Sequence, residues 1–137
     1  MTHLLDAGPL VAYLFERPTA VALIEPWVAS RELAASMVVC AEAAEHILNQ
    51  PGQPRYMAGL SHFLRVIPTA DLNLDVAIRY ATLRRSLRPP HGPGLIGDMD
   101  TLIAATALAH DLTLVSVDAH FARVPGLKLL AVPRRFS

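Results

Sequence analysis

Four carboxylates stand where predicted strands end or predicted helices begin, and their types and spacing could support chemistry. Asp6 follows the apolar run HLL, and Asp118 follows the β-prone run LTLVSV. Glu42 opens the alanine-rich helix former AEAAEHIL, and Asp100 immediately precedes TLIAATALAH. In an open parallel sheet, side chains just beyond the carboxyl ends of the strands line the ligand crevice. The four acids are therefore expected to face one another.

A group of four carboxylates without counter-charge would raise the pKa of its members and strain the fold. Mg²⁺ or Mn²⁺ resolves this, because such hard cations take carboxylate oxygens and keep waters for a phosphate substrate. Two ions ~3.5–4 Å apart would activate a water and stabilise the leaving oxygen of a phosphodiester. The residues therefore predict metal-dependent phosphodiester hydrolysis.

Each acid also has an ordinary structural explanation. Asp98, two residues before Asp100, could be a helix N-cap, and it is a second-rank candidate as a metal ligand. Asp6 and Asp118 could be turn residues, and Glu42 could face solvent from an amphipathic helix. The metal site is favoured because all of these positions fall at element ends that a parallel sheet brings to one edge.

The elements that must position these acids alternate along the chain. Strands are predicted over 3–5, 34–39, 65–67, 112–117 and 128–130. Helices are predicted over 9–15, 19–28 with Thr19 as N-cap, 41–48, 54–64, 75–87 and 101–110. Strands alternating with helices indicate a three-layer α/β/α domain with a central parallel sheet, and the length of 137 residues predicts one domain, 1–137.

The composition excludes several classes of protein. With 53% apolar and 18% charged residues, the chain is not a disordered tail. Cys40 has no cysteine partner, which favours a buried thiol in a reducing compartment. No apolar run approaches the ~18–20 residues of a membrane span, and the start MTHLLDAGPL lacks a charged leader. We expect a cytoplasmic protein that does not enter a membrane.

The formal net charge is zero, with twelve basic and twelve acidic residues, which argues against binding nucleic acid by bulk positive charge. If four acids hold a metal, however, the rest of the chain is positive, and the neutrality no longer counts against a nucleic-acid substrate.

The segments LLDAGPLVAYL, SMVVCAEAAEHIL and IGDMDTLIAATALAHDLTLVSVDAHFARVPGL resemble the PIN domain, most closely the VapC-type toxins of bacterial toxin–antitoxin modules. The resemblance covers nearly the whole chain, and the third segment is the most specific. It implies a PIN fold, Mg²⁺-dependent endoribonuclease activity on RNA, a homodimer, and neutralisation by a co-encoded VapB-type antitoxin.

The resemblance also assigns roles to individual residues. Asp6 matches the family's first metal-binding aspartate, and Glu42 matches the glutamate of the second motif, with Ser36 six residues upstream. Asp100 matches the aspartate before LIAA, and Asp118 matches the aspartate that closes the fourth motif. These four residues are the expected catalytic metal ligands.

The chain departs from the family pattern at two motifs. Ala7 and Gly8 follow the first aspartate, where the family usually has Thr or Ser and then Asn. The fourth motif reads Ser116-Val117-Asp118 instead of Thr-x-Asp with Arg or Asn between. The Ser116 hydroxyl could orient a carboxylate, whereas Val117 removes a possible RNA contact. These departures leave the metal ligands intact, but they bear on which substrate is cut and on whether the protein is a toxin.

Other polar residues leave alternatives open. Glu42 and His46, four residues apart, could form a zinc pair, although a surface histidine is favoured. His120 could touch substrate or pack with Phe121. A basic cluster before the loop PPHGPG could be a solvated helix end or a phosphate-binding rim. That cluster consists of Arg84, Arg85 and Arg88.

The surplus of apolar residues near the start of the chain could serve the core, a groove for a partner helix, or a dimer interface. These residues are Leu10, Val11, Tyr13, Leu14, Phe15, Val21, Ile24 and Trp27. Two other functions remain open. One is a non-catalytic binding or regulatory module with the same fold, and the other is a nuclease acting on DNA or structured RNA outside any toxin–antitoxin pair.

Overall fold

The computed structural model describes residues 1–134, which fold around a parallel sheet of four strands. The strands are β1 (His3–Leu5), β2 (Leu33–Ala34), β3 (Thr113–Ser116) and β4 (Leu129–Ala131). Their order across the sheet is β2-β1-β3-β4, so β1 and β3 are the two interior strands. All three pairings are parallel, and each connection therefore returns the chain to the same end of the sheet.

Helices fill the connections between the strands. They are α1 (Ala7–Leu14), α2 (Pro18–Ala29), α3 (Met37–Leu48), α4 (Gln53–Val66), α5 (Leu74–Leu87) and α6 (Asp98–Ala109). A short 3₁₀ helix, Ala119–Arg123, follows β3. The predicted three-layer α/β/α fold with a parallel sheet is confirmed. No helix within residues 1–134 is long and apolar enough to cross a membrane.

The interior strands pair in a register that buries their apolar side chains. Leu4 lies opposite Leu114, and Leu5 lies opposite Val115. These side chains are at most 2% exposed, as expected for strands covered on both faces. The register also brings the ends of β1 and β3 together, because the backbone N–H of Asp6 donates to the carbonyl of Val115 over 2.9 Å.

Helix α6 is buried around most of its circumference. Ile103 and three alanines, at positions 104, 105 and 107, have no exposed surface. Two buried threonines on the same helix satisfy their hydroxyls locally. Thr101 donates to the carbonyl of Gly97, and Thr106 donates to that of Leu102, each over 2.8 Å. Small side chains and internally bonded hydroxyls let α6 pack closely without leaving polar atoms unsatisfied.

Two strand predictions were wrong. The run 34–39 is a strand only at its start, because β2 ends at Ala34 and α3 begins at Met37. Residues 65 and 66 form the last turn of α4. The chain instead touches the sheet edge slightly later, where Ala35 and Thr69 form an isolated parallel bridge. Short apolar runs do not distinguish a buried strand from a buried helical turn.

The predicted start of α2 was also displaced. Arg17, and not Thr19, occupies the N-cap position, and Pro18 is the first helical residue. A proline suits this position because its missing N–H would have no partner inside the helix, and its φ is already helical.

Candidate metal centre

Three carboxylates from distant parts of the sequence meet at the carboxyl end of the sheet. Asp6 follows β1, Glu42 lies on α3, and Asp100 lies in the first turn of α6. One carboxylate oxygen from each lies within 4.8 Å of the others. Three of the four predicted ligands are therefore assembled as the sequence suggests, in a group that we call the acidic triad.

Asp6 is held in a fixed orientation by two donors. Its Oδ1 accepts the backbone N–H of Ala7 at 2.9 Å, which makes it the N-cap of α1. Its Oδ2 accepts the hydroxyl of Ser116 at 2.7 Å. Burial raises the pKa of Asp6 despite these two bonds, and the charge of Asp118 adds to the rise. Ser116 thus orients a carboxylate, as its position after LTLV suggests.

Glu42 is the member of the triad that has a buried carboxylate oxygen with no hydrogen bond to offset its burial. Its Oε1 is buried and has no hydrogen-bond partner. Burial, followed by the charges of Asp6 and Asp100, raises its pKa to about 7. A buried carboxylate oxygen without a donor costs free energy, so such an atom in a native fold calls for an explanation. A bound cation supplies one.

Asp100 lies at the positive end of the α6 dipole, which favours a carboxylate. Burial nevertheless raises its pKa, and the charges of Asp6 and Asp118 raise it further. Nearby His120 acts in the opposite direction. All three triad carboxylates thus hold their protons more tightly than they would in water.

The acidic triad fits a divalent cation. It provides only oxygen donors, its charges repel one another, and one of its oxygens is buried without a donor. Oxygen-only ligand sets of this kind suit Mg²⁺ and Mn²⁺ better than zinc, which prefers nitrogen and sulfur.

Asp118 lies at the same edge of the sheet but outside the group of three. Its Oδ1 accepts the backbone N–H of His120 and pairs with His120 Nδ1, each at 2.9 Å. Its own backbone N–H donates to the Ser116 hydroxyl at 2.9 Å. Asp118 acts on Asp6 and Asp100 through its charge, since both have a raised pKa partly because of it.

Asp98, the second-rank candidate ligand, lies outside the acidic triad. Its exposed side chain forms an ion pair with Arg84 at 2.7 Å. It is not the N-cap either, because Gly97 holds that position and Asp98 is the first residue of α6. Two residues along an α-helix differ by roughly 200° in direction, so Asp98 and Asp100 face opposite sides.

The histidines and the early apolar residues take ordinary positions. His46 is exposed and contacts the ring of Phe15, with the two centroids 5.9 Å apart. Leu10 and Ile24 belong to the core, whereas Tyr13 lines an open cleft and donates to Glu25 over 2.6 Å.

A cleft beside Glu42 was missed by the sequence reasoning. It measures about 450 Å³, and its lining includes Arg17, His46 and Gln50. A signal was present for two of these residues, since Glu42, His46 and Gln50 follow one another at intervals of four. Arg17 is brought in only by the packing of α1 against α3.

A parallel α/β sheet with carboxylates gathered at its carboxyl end defines an α/β protein with a candidate divalent-metal centre. The family model of the PIN domain matches residues 3–127, and the chain therefore belongs to the PIN domain family. The comparison with curated proteins gave no match.

Several solved structures with the same fold are of VapBC or FitAB proteins. A chain of VapBC2 from Rickettsia felis, bound to a DNA fragment from its promoter, is 25% identical, with 96% of this chain and 99% of that chain covered and a TM-score of 0.82. A chain of DNA-bound VapBC from Salmonella typhimurium is 18% identical, covering 96% and 98%, with a TM-score of 0.80. A chain of FitAcB from Neisseria gonorrhoeae is 23% identical, covering 94% and 96%, with a TM-score of 0.69.

Proposed function

We propose that this protein is a Mg²⁺-dependent endoribonuclease and the VapC-type toxin of a toxin–antitoxin pair. The observation that carries the proposal is the buried, unpartnered Oε1 of Glu42, whose carboxylate belongs to the same triad as Asp6 and Asp100. Membership of the PIN domain family and the VapBC relatives support the same reading. Mn²⁺ would serve in place of Mg²⁺, because both prefer carboxylate and water oxygens.

Each residue of the site would have a separate role in phosphodiester hydrolysis. Asp6, Glu42 and Asp100 would hold the cation, and Asp118 would complete the acid set from the neighbouring strand end. The bound cation would supply a Lewis acid that lowers the pKa of water and offsets phosphate charge. Ser116 keeps Asp6 in one orientation through its 2.7 Å bond. The reaction then requires no catalytic histidine.

An arginine-lined cleft at the end of α5 supports RNA as the substrate. It measures about 480 Å³, and its lining includes Arg84, Arg85, Arg88 and His91. Arg84 pairs with Asp98, while Arg85 and Arg88 form no ion pair with any carboxylate in residues 1–134. Unpaired arginines suit phosphate oxygens, which they bind in a bidentate manner.

The partners follow from the same proposal. A VapB-type antitoxin is supported by the relatives, which were solved as VapBC complexes. A homodimer would cover the large apolar side chains that α5 exposes, Leu74 and Ile78. Within this proposal the protein acts in the cytoplasm, where its RNA substrate is found.

An RNA cleavage assay in Mg²⁺ tests the proposed function. We expect cleavage that stops in EDTA and returns when Mg²⁺ is added in excess, and none of a DNA oligonucleotide of the same sequence. Asp98→Asn is a matched control for Asp100→Asn, since both acids lie in the first turn of α6 and Asp98 stands outside the triad. Undiminished cleavage in EDTA, or equal losses in both variants, would contradict the proposal.

Expression of the protein in growing bacteria tests the assignment as a toxin. We expect growth arrest that the product of the neighbouring gene relieves. A protein that cleaves RNA in vitro but arrests no growth would instead be a nuclease outside a toxin–antitoxin pair, and a folded protein with neither effect would be a binding module.

A further inference from the structure

The cleft beside Glu42 has an apolar floor and lies next to the acidic triad. The floor is formed by α1, with Ala7, Val11 and Ala12. Its volume of about 450 Å³ is in the range of small-molecule sites, which are usually apolar with a few polar groups. Glu42 belongs both to the lining of this cleft and to the acidic triad. A ligand in the cleft would therefore be in contact with the metal site.

Two aromatic rings stand together at the side of the cleft. Phe15 and His46 both line it, with ring centroids 5.9 Å apart and planes inclined by 43°. Phe15 is supported from behind by Tyr56, whose ring centroid is 4.3 Å away. A supported aromatic ring is the surface on which proteins stack the bases of single-stranded RNA.

Two polar side chains complete the lining. Arg17 is exposed and forms no ion pair with any carboxylate in the part of the chain that the structure describes. The Gln50 side chain carries an amide that both donates and accepts, and it follows the C-cap of α3, Asn49. An arginine suits a phosphate, and an amide suits the edge of a base.

We propose that this cleft is a nucleotide subsite, which holds the base next to the scissile phosphate of a single-stranded RNA. In this arrangement the base lies against Phe15 and His46, the amide of Gln50 meets its edge, and Arg17 meets the adjoining phosphate. Glu42 joins the subsite to the metal. The inference rests on the proposed function, and it makes these residues, rather than the acidic triad, the source of sequence preference.

Binding of mononucleotides tests the subsite without any chemistry. The four ribonucleoside 5′-monophosphates contain no phosphodiester linkage to cut, so the full chain with Mg²⁺ is titrated with each and followed by NMR. We expect shifts at Phe15, His46 and Gln50, with unequal affinities for the four bases. Phe15→Leu is expected to weaken the binding about tenfold, because stacking on the ring is lost.

Matched variants separate the subsite from general surface effects. Gln50→Ala is compared with Gln53→Ala, and Arg17→Gln with Arg65→Gln, since Gln53 and Arg65 are exposed residues of α4 that do not line this cleft. The cleft variants are expected to weaken nucleotide binding about tenfold and the controls to leave it unchanged. Gln50→Ala is also expected to flatten the preference between bases beside the cut.

The outcomes distinguish this inference from the proposed function. RNA cleavage by the wild type, with no mononucleotide response in the cleft, overturns the subsite and leaves the nuclease standing. Nucleotide binding that depends on Gln50, without any RNA cleavage, supports the subsite and overturns the nuclease. A cleft that a purified antitoxin protects, but that no nucleotide affects, is a protein-binding surface, and the subsite is then wrong.

Discussion

Helix α6 and the acidic triad differ in whether their buried polar atoms have hydrogen-bond partners. In the body of α6, Thr101 and Thr106 have no exposed surface, yet both hydroxyls bond to carbonyls of their own segment. At the triad, Glu42 Oε1 is buried with no hydrogen-bond partner, and the hydroxyl of Ser36, the N-cap of α3, is also buried without one. The hydroxyls of α6 are satisfied within the fold, whereas the Glu42 oxygen has an acceptor site free for a cation or a water.

The two regions also differ in electrostatic free energy, because only the triad places several carboxylates close together. The charges of the triad repel one another, and burial raises the pKa of every member. A fold selected only for stability would replace such groups with apolar ones, because uncompensated buried charge is among the most destabilising features known. The predictions below probe this contrast, and they run from the largest expected effect to the smallest.

Asp100→Asn keeps the size and position of the side chain but removes its charge. We expect RNA cleavage to fall ~10³-fold or more, because the cation would contribute several kcal/mol to the stabilisation of transition-state charge. Cleavage rates in Mg²⁺ measure this, and circular dichroism confirms that the variant is folded. A folded Asp100→Asn protein that cleaves RNA at the wild-type rate would remove Asp100 from the metal site.

Mg²⁺ should stabilise the protein more strongly at pH 8 than at pH 5. The pKa of Glu42 is raised from 4.5 to about 7, so its protonated form stabilises the metal-free fold below pH 4.5, and this stability is lost as the pH rises through about 7. Above pH 7 a bound cation restores this stability. At a Mg²⁺ concentration one hundred times its Kd, binding adds ~2.7 kcal/mol to the unfolding free energy.

Thermal melts with and without Mg²⁺ measure this effect, with Glu42→Gln as the comparison. The variant cannot ionise at this position, so its metal-free form should melt higher than the wild type at pH 8, and Mg²⁺ should shift its melting point less. Equal Mg²⁺ shifts in both proteins at both pH values would show that Glu42 binds no cation.

Ser116→Ala should lower the unfolding free energy by about 2 kcal/mol, because a buried carboxylate loses one of its two donors. The same change should raise the pKa of Asp6 further, since the Ser116 hydroxyl is the largest influence that lowers it. Mg²⁺ affinity at pH 6 should fall as a result. Urea denaturation measures the first effect, and calorimetric titration with Mg²⁺ measures the second.

Thr106→Val should have the smallest effect, below about 1 kcal/mol, because the carbonyl of Leu102 has a second lone pair for its helical bond. Valine preserves the shape of the threonine side chain. Urea denaturation in parallel with Ser116→Ala gives the comparison. A larger loss in Thr106→Val than in Ser116→Ala would break the contrast between the two regions.

Much of the candidate metal site was predictable from sequence because it depends on where strands end. Asp6 and Asp118 each stop an apolar run, and parallel pairing necessarily brings such ends together. The fold class followed from the same alternation of runs. The sequence did not show which of Asp98 and Asp100 belongs to the triad, because the two differ only in the direction that they face on the helix. That direction is set by how α6 packs against α5.

The strand errors have a related cause. Val38 and Val39 favour a strand by their β-branched side chains, yet they lie on α3, where both are buried. Their burial was predictable from apolarity, but their backbone is helical because α3 begins at Met37 and continues through the alanine-rich segment that follows them. The cleft containing Arg17 and Gln50 was beyond reach for a different reason, because it exists only between two packed helices.

The bond between Ser116 and Asp6 joins residues 110 positions apart in the chain. During synthesis, residue 6 is made early but has neither its hydroxyl donor nor its neighbour β3 until that strand has left the ribosome. Long-range pairings of this kind form late in folding, because closing the intervening loop costs entropy first. The candidate metal site therefore assembles only after translation has passed residue 116.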